Sequence, residues 1–153
     1  MGKRKFIFIF SCIFFLSACS TTNDNAETGS ALLGTKNPSP IAVKKDEKDE
    51  KLVKDIKHTA LSIDGIYDVA VIKGKGKDCL VGFKVHHLNR FRMKKIEKKL
   101  TERLEQKYQD LTFIVSSDYK IFLEAVRLNK KMREEHLTEE KMEKRLQQII
   151  KLS

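Results

Sequence analysis

The sequence predicts a small α+β domain, and three observations carry that expectation. Two apolar, β-rich runs at residues 66–72 and 79–86 are joined by a short loop containing Gly74 and Gly76, the pattern of a β-hairpin. Apolar residues at helical spacing stand before that hairpin and after it. A third short apolar run at 112–116 is followed by another helical stretch. The expected order is therefore helix, strand, strand, helix, strand, helix, with the helices covering one face of a three-stranded sheet.

The chain opens with a basic head, Lys3, Arg4 and Lys5, followed by an apolar run over residues 6–16 and then Leu16-Ser17-Ala18-Cys19. A charged head, a short greasy segment and small residues before a cut make up a secretory signal. The run is shorter than the roughly 20 apolar residues needed to span a bilayer. The tetrapeptide Leu16-Ser17-Ala18-Cys19 resembles a bacterial lipobox. That resemblance implies cleavage before Cys19, a diacylglycerol on its thiol, a fatty acid such as palmitate in the anchor, and residence on the extracytoplasmic face of the membrane. Two acyl chains hold a protein stably on a membrane where one does so only marginally.

Loss of residues 1–18 leaves 135 of the 153 residues, enough for one compact domain and a tether. The formal charge of +10 falls to +7 with the loss of Lys3, Arg4 and Lys5. A basic surface attracts anionic lipid, wall polymer or acidic protein; nucleic acid is not expected outside the cytoplasm. Of the three cysteines, Cys12 lies in the leader and Cys19 would carry lipid, so Cys79 alone remains and an internal disulfide is excluded. Residues 19–49 form a polar tether rich in Ser, Thr, Asn, Asp, Gly and Pro, too poor in apolar side chains to order itself. As a coil, about 30 such residues would span ~30 Å.

The module at 50–118 comes next. Leu52, Val53, Ile56 and Ala60 predict a first helix over residues 49–61. Asp64-Gly65 supplies a turn into the hairpin. Its loop, Gly74-Lys75-Gly76-Lys77, lacks the spacing and the Lys-Ser/Thr ending of a phosphate-binding loop. Met93, Ile96, Leu100 and Leu104 predict a second helix over 90–109, with Lys94, Lys95, Lys98, Lys99, Arg103 and Lys107 on its remaining faces. These cations, joined by Lys84, Arg90 and Arg92, make a candidate anion-binding surface, interrupted by Glu97 and Glu102. Ser117 or Asp118 is placed to cap the following helix.

The C-terminal region at 119–153 carries Ile121, Phe122, Ala125 and Leu128. After Thr138, a second potential cap, the apolar pattern resumes with Met142, Leu146, Ile149 and Ile150. One helix bent near Leu137 and two separate helices both fit this pattern. The narrow apolar stripe calls for a partner: its own domain, another copy, or a membrane surface.

Chemistry finds little footing. Cys79 and His86 on one strand would stand about 23 Å apart at ~3.3 Å per residue. No Cys-x-x-Cys or His-Glu-x-x-His spacing suggests a metal. The expectation is a protein with no catalytic residues, cofactor, metal or small-molecule substrate.

The lipobox, the tether and the segments Ile63-Asp64-Gly65-Ile66-Tyr67-Asp68-Val69-Ala70-Val71-Ile72, Cys79-Leu80-Val81-Gly82-Phe83-Lys84-Val85 and Phe113-Ile114-Val115-Ser116-Ser117-Asp118 together resemble the YhcN/YlaJ group of sporulation lipoproteins. Ile66 stands where that group usually has valine. The α-β-β-α-β order is also similar to ring-building modules of sporulation and secretion machines and to BON domains. The resemblance implies a spore or forespore inner-membrane lipoprotein linked to sporulation, germination or outgrowth. It brings no catalytic residues, and its expected partners are the membrane and other envelope proteins or further copies of the chain.

Overall fold

A computed structural model describes residues 38–44, 46–135 and 137–153, so the leader, the lipobox and residues 19–37 lie outside the described part. In chain order the elements are β1 (Ile41–Ala42), α1 (Glu47–Leu61), β2 (Ile66–Lys73), β3 (Asp78–Val85), a 3-10 turn (His87–Arg92), α2 (Met93–Lys107), β4 (Thr112–Ser116), α3 (Tyr119–Glu134) and α4 (Glu139–Ile150). The mixed α+β class and the α-β-β-α-β core order are as expected. The strands form one sheet in the order β1-β2-β3-β4. β2 and β3 are antiparallel, and the two outer strands each run parallel to their neighbour.

Local chemistry sets the helix boundaries. The Asp46 carboxylate accepts the Asp49 amide proton at 2.7 Å, and Glu47, Asp49 and Glu50 place negative charge at the N-terminal end of the α1 dipole. After α1 the chain reverses through Gly65, whose φ of 93° belongs to the left-handed region. Of the two candidate caps for α3, Asp118 does the work, accepting from the amides of Lys120 and Ile121. Thr138 caps α4, and the break before it makes the C-terminal region a helix pair.

The sheet differs from expectation in two respects. It has four strands, because Ile41 and Ala42, expected within the 19–49 tether, pair with Ile72 and Lys73. An apolar triplet, Ile41-Ala42-Val43, is too short to show a period, yet Ala42 and Val43 are each buried, on opposite faces of the sheet. Helices also cover both faces instead of one. On the first face, α1 and α2 bring Val53, Ile56, Ala60, Ile96, Leu100 and Leu104 onto Val69, Val71, Val81 and Phe83. On the second, α3 and α4 bring Phe122, Ala125, Leu128, Met142, Leu146 and Ile149 onto Ala70, Ile72 and Leu80. The cause lies in β2 and β3, which are apolar at odd and even positions alike, so neither side of the sheet can face water.

Close approach makes the second layer possible. A Cβ on Gly82 would stand 3.0 Å from the Phe122 Cα, so α3 lies directly on the backbone of β3. α4 is fastened to α3 by Arg145, which donates to Glu124, itself bonded to Arg127.

Candidate interaction surface

The second helix starts at Met93, three residues later than expected, because residues 87–92 wind as a 3-10 turn. Backbone bonds tie this turn to the end of the sheet: His86 N–H donates to the Gly65 carbonyl at 2.9 Å, and Asn89 N–H to the His86 carbonyl at 2.8 Å. The Asn89 side chain lies against Gly65, where a Cβ would meet its amide nitrogen at 2.8 Å. Three residues per turn bring positions i and i+3 onto one side. In this turn those positions are Leu88 and Phe91, which are 85% and 98% exposed. Arg90 and Arg92 beside them are also exposed.

α2 continues the basic surface. Ile96, Leu100 and Leu104 are buried, and Lys94, Lys95, Lys98, Lys99 and Arg103 all face solvent, as the spacing predicts. Lys94 meets Glu97 at 3.1 Å and Lys98 meets Glu102 at 3.8 Å. Lys95, Lys99 and Arg103, four residues apart, make no ion pair among the described residues. Lys84 does not join them: its ammonium is 2.9 Å from the fully buried Asp68 and 4.6 Å from the centre of the Phe122 ring, on the α3 side of the sheet.

Glu97 stitches α2 to the end of β4. Its carboxylate accepts from the Ser117 amide at 3.1 Å and the Ser117 hydroxyl at 2.7 Å, as well as from Lys94. Burial raises the Glu97 pKa, but these hydrogen bonds and the lysine outweigh it, and the carboxyl sits below its ordinary value. Nearby, a cleft of about 430 Å³ opens between the turn and α3, lined by Tyr67, Lys84, Arg90, Met93, Ser117 and Tyr119. Val115, Ser116, Ser117, Leu152 and Ser153 help to line a second cleft.

The cysteine and histidines singled out in the sequence take the following places. Cys79 is buried in the first core, and desolvation pushes its thiol up to about 12, far from a reactive thiolate. His58 is exposed on α1, His86 and His87 are adjacent and exposed at the start of the 3-10 turn, and His136 lies outside the described residues. Among the described residues no three His, Cys, Asp or Glu side chains are grouped to hold a metal. No described helix is long and apolar enough to cross a membrane.

Comparison with protein-family models, with curated proteins and with solved structures finds no match to this chain. The site features are therefore those of its own residues. The sequence pattern identified the basic face of α2. It passed over Leu88 and Phe91, although the signal was present: neither fits the stripe at Met93, Ile96, Leu100 and Leu104 nor the strand before it.

Proposed function

We propose that this is a non-enzymatic lipoprotein, anchored through Cys19 to the extracytoplasmic face of the cell or spore membrane. Its folded domain serves as an interaction or assembly module in sporulation, germination or outgrowth. The observation that carries the anchor is the run of Lys3, Arg4 and Lys5, an apolar segment and Leu16-Ser17-Ala18-Cys19. Burial of Cys79 in the first core supports a binding role over a catalytic one. Since α4 is docked on its own domain, assembly contacts are assigned to the outer side of β4, an edge strand able to pair with another chain. Metabolic labelling with a palmitate analogue tests the anchor. The wild-type chain takes up label and fractionates with membranes, and Cys19→Ser loses the label; equal labelling of the two overturns the proposal.

A second reading has its own support in Lys95, Lys99 and Arg103, which are exposed and unpaired by acids among the described residues. The domain then binds anionic lipid or wall polymer through α2, each cation near an anionic membrane contributing about 1 kcal/mol.

A further inference from the structure

We infer that the 3-10 turn His87–Arg92 is a membrane-docking tip: Leu88 and Phe91 enter the interfacial layer of an anionic bilayer, and Arg90, Arg92, Lys94 and Lys95 meet its phosphate headgroups. This deepens the lipid arm of the reading above and rests on the anchor only for keeping the bilayer within reach.

Exposure is the first support. Phe91 and Leu88 are the two most exposed of the large apolar side chains described, and their i, i+3 spacing in a 3-10 turn brings them to one side. The turn beneath them is held by the bonds from His86 to Gly65 and from Asn89 to His86, so the two side chains are presented on a fixed base. Such presentation lowers the ordering cost of binding.

Charge selects the partner. No Asp or Glu occurs between Asp78 and Glu97, while Arg90, Arg92, Lys94 and Lys95 surround the apolar pair. The neighbouring carboxylates are Asp64, beside Gly65, Asp118, which is engaged in capping α3, and Glu97, which accepts from Ser117 and from Lys94. Cations flanking protruding apolar side chains match the headgroup and acyl boundary of an acidic membrane. A wall polymer offers negative charge but no apolar layer for Phe91. A stable protein partner needs a contact surface of the order of 800 Å² per side with an apolar centre, whereas the tip is two side chains in a field of cations.

The chain has no tryptophan, so Phe91→Trp creates a single reporter in the full-length protein. A control, Gly76→Trp, sits in the β2–β3 hairpin at the other end of the sheet, where an added Cβ meets nothing within 4 Å. In phosphatidylglycerol vesicles containing brominated acyl chains, Phe91→Trp emission shifts to the blue and is quenched several-fold more than in phosphatidylcholine. Gly76→Trp emission does not change, and adding Arg90→Glu and Arg92→Glu to the reporter removes the quenching while circular dichroism stays native. Unquenched Phe91→Trp emission in anionic vesicles overturns the tip, as does a blue shift in concentrated protein without lipid, which marks contact between copies. Adding Cys19→Ser to the reporter separates the two proposals. Quenching on added vesicles without palmitate labelling of the parent chain upholds the tip and overturns the anchor. Labelling without quenching does the reverse.

Discussion

Glu97 shows how one side chain can hold a surface in shape. It lies on the basic helix yet turns its carboxylate to Ser117, fixing α2 against the chain that leads into α3. Because its folded pKa is depressed, its stabilisation is present above the ordinary carboxylate value of 4.5 and is lost as pH falls through the lower folded value. Glu97→Gln keeps an acceptor but loses the charge, so it should cost about 1 kcal/mol at pH 7. Urea unfolding at pH 7 and at pH 3.5 checks this: the gap between wild type and variant narrows in acid, and an equal gap at both pH values would point to packing instead. At this scale the sequence was partly legible. The burial of Cys79 and a cap at Ser117 or Asp118 could be read from neighbouring residues, and the structure chooses Asp118. The pairing of Asp68 with Lys84 could not, because it depends on which strand positions face each other.

Among the elements, α4 was the least determined by sequence. Its stripe of Met142, Leu146 and Ile149 had three possible partners, and the domain itself takes it up. Leu146→Ala should therefore cost about 2–5 kcal/mol, the range for a fully buried leucine, because Leu146 is completely inaccessible. Thermal or urea unfolding measures the loss, and a change below about 0.5 kcal/mol would indicate an exposed site. The long helices were legible because each repeats its apolar spacing over several turns, and β2 to β4 because each is a continuous β-rich apolar run. β1, with two residues, has no period to show. The 3-10 turn, only six residues long, was absorbed into the start of the second helix, although Leu88 and Phe91 fall off the stripe that begins at Met93.

Across the whole molecule, charge lies mostly outside the core, the buried exceptions among the described residues being Asp49, Asp68 and Lys73. The interior fills both sides of the sheet, while among the described residues α2 and the turn before it carry a long run of exposed cations, from Arg90 to Lys107. Changing Lys94, Lys95, Lys98 and Lys99 together to Glu should abolish sedimentation with anionic vesicles or wall material at low salt, without moving the thermal midpoint by more than a few degrees. For the wild type, binding should fall as salt shortens the screening length from about 10 Å at 0.1 M to 3 Å at 1 M. Retained binding by the variant would exclude the α2 face. The fold class was legible because element order survives whatever the layers do. The number of layers was not, since a strand apolar at every position reads the same whether one or two faces are covered.

That doubly covered sheet changes what keeps its strands in alignment. When one face meets water, sliding a strand by one residue turns its oily side outward, and solvent itself forbids the error. Here such a slip would carry Val69 and Val71 from one dry interior into another, with little apolar area lost. Alignment falls to the exceptions in the pattern: Asp68 and Lys84 would part, Lys73 would leave Asp49, and Gly82 would no longer lie beneath Phe122. The few charged and empty positions of these strands are thus their ruler.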